Sequence, residues 1–208
     1  MKEQEYVIFD LDGTLVDAFP TMVHACRQVM SRHGRKADAT LSFFEPYRES
    51  TPQLLLAAVA EVCDMELALF KEEFDEEYGK LPTDGTTAIP SVLGIMQRER
   101  EKGMGVIVLT NKRQYIAERV CEDVIGHGVV DYVIGRRDTR PVKPSTEILT
   151  RLQEHGIQRE RCIWYYGDTG IDRVCAELIG VRYTDIRKEK TIIRNNPITP
   201  QRGNETSA

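Results

Sequence analysis

The sequence predicts an α/β fold: a Rossmann-like parallel-sheet core with an inserted α-helical domain. Two observations predict it. Short continuous apolar runs, rich in β-branched and aromatic residues, alternate with helix-period patterns. The stretch between the first two runs is too long for one crossover and carries three helical patterns of its own. The size agrees, since 208 residues with 41% hydrophobic and 29% charged suit one globular domain or one with an insertion.

The strands follow in order. Tyr6-Val7-Ile8-Phe9, Val106-Ile107-Val108-Leu109 and Cys162-Ile163-Trp164-Tyr165-Tyr166 read as strands buried on both faces. Tyr132-Val133-Ile134 and Val181-Arg182-Tyr183 are shorter candidates. Between them lie apolar stripes at helical spacing. Val92, Leu93 and Met96 follow Pro90, a residue suited to a helix start. Ile116, Val120 and Val124 form the next stripe, and Ile148, Leu149 and Leu152 the one after.

In the insertion, Phe19, Met22, Val23, Cys26, Val29 and Met30 mark a helix ending near Gly34. Leu54 to Cys63 is apolar on nearly all sides, which predicts burial all round. Leu67, Phe70, Phe74 and Tyr78 mark a third helix ending at Gly79. The expected division is therefore a core of residues 1–16 and 83–190, an insertion of 17–82 with hinges near Asp17 and Pro82, and a mobile tail at 191–208.

Polar residues gather where these strands end. In an open parallel sheet, ligands bind outside the carboxyl ends of the strands. The first strand runs into Asp10-Leu11-Asp12-Gly13-Thr14, where one carboxylate can attack as a nucleophile and the other can handle a proton. The second ends in Thr110-Asn111-Lys112, with a hydroxyl and turn amides suited to phosphate oxygens. Lys143 stands between Pro141 and Pro144, a stiffened loop that offers a fixed cation. The fourth strand ends in Gly167-Asp168, with Asp172 four residues further on. Carboxylates gathered with Asp10 and Asp12 need a cation, and hard oxygen ligands beside a phosphate favour Mg²⁺. Together these groups form a complete phosphoryl-transfer set.

In these ordered motifs the sequence resembles the haloacid dehalogenase-like hydrolases. The match is carried by Phe9-Asp-Leu-Asp-Gly-Thr-Leu-Val-Asp17, Thr110-Asn111, Lys143-Pro144, and Gly167-Asp168 with Asp172, and it spans Tyr6 to Gly180. The insertion resembles the helical cap of the phosphoglycolate phosphatase branch. The resemblance implies that Asp10 attacks phosphorus and that Asp12 serves as acid and then base. It implies Mg²⁺ on Asp10, the Asp12 carbonyl and Asp168, with Asp172 in support, and Thr110, Asn111 and Lys143 around the phosphoryl group. An acid at position 12 argues against dehalogenation. Ile89-Pro-Ser-Val92 replaces a usual Pro-Gly-Val, Ile179 a usual Ala, and Trp164-Tyr165-Tyr166 is bulkier than the usual strand. No match to the branch's closing elements follows Tyr183, so a shortened core is expected.

The expected substrate is a small phosphorylated metabolite, and Arg48 is the candidate contact from the insertion. Two alternatives remain: a sugar phosphomutase, and a binding protein on a retained hydrolase fold. A net charge of -5 gives no basic field for nucleic acid. Arg136, Arg137 and Arg140 read as a solvated loop. Five cysteines without a C-x-x-C pair argue against zinc or a disulfide framework. The four histidines have no triad or metal spacing. Neither a signal-peptide core nor a membrane span is present, so a cytoplasmic monomer or homodimer is expected.

Overall fold

The structure, a computed structural model, describes residues 3–48, 50–80, 83–137 and 142–187. The tail at 191–208, the hinge at Pro82, and Arg140 lie outside them. Five parallel strands form the sheet: β1 (Tyr6–Phe9), β4 (Gly105–Arg113), β5 (Tyr132–Arg136), β6 (Cys162–Gly167) and β7 (Arg182–Asp185). Two further strands, β2 (Val16–Asp17) and β3 (Thr87–Ala88), pair with each other. The sheet order is β5-β4-β1-β6-β7, so β1 is central and the chain reverses its direction of winding beside it. That is the switch point at which open α/β sheets place ligands.

The helices follow the apolar stripes. The insertion holds α1 (Phe19–Arg32), the short α2 (Leu41–Phe44), α3 (Pro52–Val62) and α4 (Leu67–Lys80). The core holds α5 (Pro90–Glu101), α6 (Gln114–Val120), α7 (Glu147–Glu154) and α8 (Gly170–Ile179). A π-helical turn, Cys121–Ile125, prolongs α6 and carries Val124. Burial of α3 all round is not observed. Leu55, Leu56, Val59 and Ala60 are buried, whereas Leu54 is 58% exposed. The helix has one neighbour-facing side, and its apolar outer residues meet no second layer.

The bulky fourth strand has a use for each ring. Tyr166 stacks on Phe9 with centroids 4.7 Å apart, and Trp164 donates its indole N–H to Thr184 Oγ1. Tyr165 points to the opposite face, where its hydroxyl meets Asp172. The apolar cluster on the Phe9 face runs without a break into the insertion, through Val23, Phe70 and Phe74.

The pairing of β2 with β3 was not legible in the sequence. It joins the chain's exit to the insertion with its return, Val16 opposite Ala88 and Asp17 opposite Thr87. Thr21 reinforces the join by donating to the Asp84 carbonyl. All five cysteines are buried free thiols. Among the described residues no helix is long and apolar enough to cross a membrane.

Candidate active site

The site begins one residue beyond β1. Leu11 turns into the core and is fully buried, which leaves Asp10 and Asp12 on the other side of the chain. Asp10 is 5% exposed, and its backbone N–H donates to the Tyr166 carbonyl, so the nucleophile candidate is fixed to two strands at once. Gly13 turns the chain at φ +78°, and a Cβ there would collide with the Asp168 carboxylate. Only glycine meets both demands. Thr14 then donates its hydroxyl to Asp168 Oδ1 at 3.2 Å.

Lys143 is the hub. Its ammonium donates to Asp10 Oδ1 at 2.5 Å and to Asp172 Oδ1 at 2.7 Å, and the side chain is 5% exposed. Asp172 is fully buried and has four donors. Oδ1 receives Lys143 and the Tyr165 hydroxyl at 3.0 Å. Oδ2 receives the Thr169 amide at 3.0 Å and the Thr169 hydroxyl at 2.6 Å, closing a capping box at the start of α8. In this arrangement Asp172 anchors Lys143 and the helix together.

Thr110 lies 2% exposed within β4, where its hydroxyl oxygen accepts the Lys112 amide. Asn111, expected beside phosphate, is engaged elsewhere. Its amide donates to the Lys143 carbonyl and accepts the Lys143 N–H, both at 2.8 Å. It fixes the lysine's backbone across 32 residues of chain. Arg48, expected at the substrate, pairs with Asp17 at 3.2 Å and Glu45 at 3.0 Å, over the Phe19 ring. Its described contacts are with the insertion itself and with Asp17 at the connection to the core. The expected solvated loop also differs, since Arg136 is only 18% exposed and faces Asp75 of α4.

Asp10, Asp168 and Asp172 each offer an oxygen within 4.8 Å of the others. Burial pushes the Asp10 carboxyl up to about 8, with the charges of Asp172 and Asp168 adding to the effect and Lys143 opposing it. A nucleophilic carboxylate must be ionised, so this cluster lacks positive charge. The donor set is all hard oxygen, which fits Mg²⁺. The Asp12 side chain stands apart from the cluster and pairs with Lys112 at 3.1 Å.

Sequence reasoning read Tyr165 as strand bulk and Tyr78 as part of an apolar stripe, and it gave the side chains of Thr169 and Lys112 no role. The adjacency of Lys112 to Thr110-Asn111 was the one available signal. A separate hollow of about 620 Å³, lined by Tyr115, Glu118, Asp131 and His155 among others, shares no residue with this site.

Comparison with known proteins gives the family and the fold. The sequence matches the haloacid dehalogenase-like hydrolase family over residues 7–186. A phosphoglycolate phosphatase from Rhodobacter capsulatus is 30% identical over 85% of this chain and 81% of its own length. A haloacid dehalogenase-like family hydrolase from Streptococcus pneumoniae superposes with a TM-score of 0.67 at 18% identity, covering 88% of this chain and 84% of that one. A candidate β-phosphoglucomutase from Thermotoga maritima gives 0.63 at 21% identity, covering 86% and 84%. At such identities the two structures speak for the fold alone. Fold, ordered motifs and sequence relatives converge: the chain belongs to the haloacid dehalogenase-like hydrolases, in the branch of its phosphoglycolate phosphatase relative, and is a hydrolase of the phosphatase kind.

Proposed function

We propose that the protein is a Mg²⁺-dependent phosphatase acting on a small phosphomonoester of the phosphoglycolate class. The observation that carries this is Asp10: a buried carboxylate at the sheet's switch point, held by Lys143 at 2.5 Å inside a three-carboxylate cluster. Asp10 attacks phosphorus, and the P–O bond to the leaving oxygen breaks as the bond to Asp10 forms. Asp12 gives a proton to the leaving oxygen, then takes one from the water that hydrolyses the aspartyl-phosphate. Lys143 donates to Asp10 and Asp172 and, at 3.5 Å, to the Tyr165 hydroxyl; that third and longest bond is the one it can exchange for a phosphoryl oxygen. The Thr110 hydroxyl accepts the Lys112 amide and keeps its own proton to donate. Asp10, Asp168 and the Asp12 carbonyl would hold Mg²⁺, with Asp172 behind them; bound there, the ion supplies the positive charge that lets a phosphate dianion approach carboxylates. Residues 17–82 act as the cap that excludes water.

The retained nucleophile, cation and carboxylates favour catalysis over a binding-only role. The test is phosphate release from a phosphomonoester panel that includes 2-phosphoglycolate, with Mg²⁺ and with chelator. Release that requires Mg²⁺ and disappears in Asp10→Asn is expected. Activity surviving Asp10→Asn would remove the proposed nucleophile. Isotope transfer between positions of a sugar phosphate, without net release, would favour a mutase.

A further inference from the structure

Lys112 and Tyr78 lie outside the set just described, yet they touch it. The Lys112 side chain is 8% exposed, and a buried ammonium needs compensating charge. Asp12 supplies that charge, with Nζ 3.1 Å from Oδ1. Lys112 also donates to the Tyr78 hydroxyl at 2.6 Å and sits 4.5 Å from the centre of that ring. Tyr78 belongs to α4 of the insertion, whereas Asp12 follows the central strand of the core. One ammonium therefore spans both parts of the molecule. The contact is wider than one pair. Asp75, three residues before Tyr78 on α4, accepts from Arg113 at 2.5 Å, next to Lys112 on β4.

Asp12 is loosely held otherwise. Its side chain is 35% exposed, and among the described residues Lys112 is its ion-pair partner. Oδ1 is buried and lacks a well-directed hydrogen bond. Pinning Oδ1 by charge leaves Oδ2 as the oxygen that gives and takes a proton.

We propose that Lys112 is a positioning residue, held by Tyr78, that aims Asp12 at the leaving oxygen, so that docking of α4 on the end of β4 completes the proton-transfer geometry. The proposal rests on the phosphatase reading. Asp12, ionised while it pairs with Lys112, takes a proton on Oδ2 from solvent, to which its side chain is 35% exposed; as the P–O bond breaks that proton passes to the departing oxygen, while Lys112 neither gains nor loses one.

The experiment compares two substrates. An alkyl phosphate needs its leaving oxygen protonated, and p-nitrophenyl phosphate does not. A general acid contributes about 10²–10⁴-fold, so Lys112→Met should lower kcat/KM about 100-fold for the alkyl ester and about 3-fold or less for the aryl ester. Tyr78→Phe keeps the ring and should show the same pattern at about 10-fold, and Lys112→Arg should recover part of the alkyl activity. Equal losses on both substrates would assign Lys112 to binding or folding and overturn the proposal. Unchanged alkyl activity in an active enzyme would overturn it as well. A wild-type protein no more active than Asp10→Asn would bring down the phosphatase reading, and this inference with it.

Discussion

Asp172→Asn is a nearly isosteric change at a residue with no exposure and four donors pointing at it. An asparagine offers one oxygen and one NH₂, so two of the four donors must face a donor instead. The favourable choice keeps oxygen toward Lys143 and Tyr165 and turns NH₂ toward Thr169. The Thr169 hydroxyl can rotate and accept, but its backbone N–H cannot. One charge-assisted bond is then lost outright, a half-buried amide at the start of α8 is left unpaired, and Lys143 loses one of its two carboxylates. At about 1.5–3 kcal/mol for a hydrogen bond to a charged group, with partial recovery at the hydroxyl, the net cost is about 2–4 kcal/mol. Urea denaturation measures it: at an m of about 2 kcal/mol/M, the midpoint should fall by about 1–2 M with m unchanged. Thr169→Val disturbs the same box, so the double variant should lose less than the sum of the singles. A midpoint shift below about 0.3 M would refute the assignment of Asp172 as a four-donor anchor, and full additivity would refute its coupling to Thr169.

Asn111→Ala removes both bonds to the Lys143 backbone; kcat/KM should fall about 10–100-fold while stability drops about 1–3 kcal/mol, read by steady-state kinetics beside denaturation. Gly13→Ala forces a Cβ onto the Asp168 carboxylate at a φ that favours glycine, so calorimetric titration should show Mg²⁺ affinity weakened by about 10-fold or more. The metal-free protein should lose stability as pH rises between about 4 and about 8. Asp10 holds its proton up to about 8 in the folded chain, whereas the unfolded carboxyl releases it near the ordinary aspartate value of 3.8, so unfolding releases a proton across that window. Denaturation midpoints in chelator should therefore fall over the window, and Asp10→Asn should flatten the slope.

The strands were legible because parallel strands buried on both faces need unbroken apolar runs, and Tyr6–Phe9 and Val106–Leu109 provide them. The strand-end groups were legible for the same reason, since the chemistry follows each run directly. The partners of those groups were not legible. Asn111 and Lys143 are 32 residues apart, and Lys112 and Tyr78 are 34 apart; nothing in either local pattern says which residue the other will meet. Tyr78 fits a helix stripe as well as it fits an ammonium, because its ring packs in the apolar cluster while its hydroxyl meets Lys112. The exposed flank of α3 was hidden because periodicity reports which residues are apolar, not whether a second layer exists to cover them. The β2–β3 pair was invisible at two residues per strand, with a whole insertion between them.

That small ribbon sets how the two parts of the molecule can evolve and move. Because exit and return lie side by side, the sheet registers the insertion only as a paired stub. Its contents could lengthen, shorten or be exchanged without shifting the pairing of any strand. The apolar cluster that runs from Phe9 to Phe70 pulls the other way. Deleting the insertion would leave a well-registered sheet with a greasy face open to water. The result is an insertion easy to replace by another of its kind and hard to do without, joined by a two-residue ribbon and held by its apolar underside.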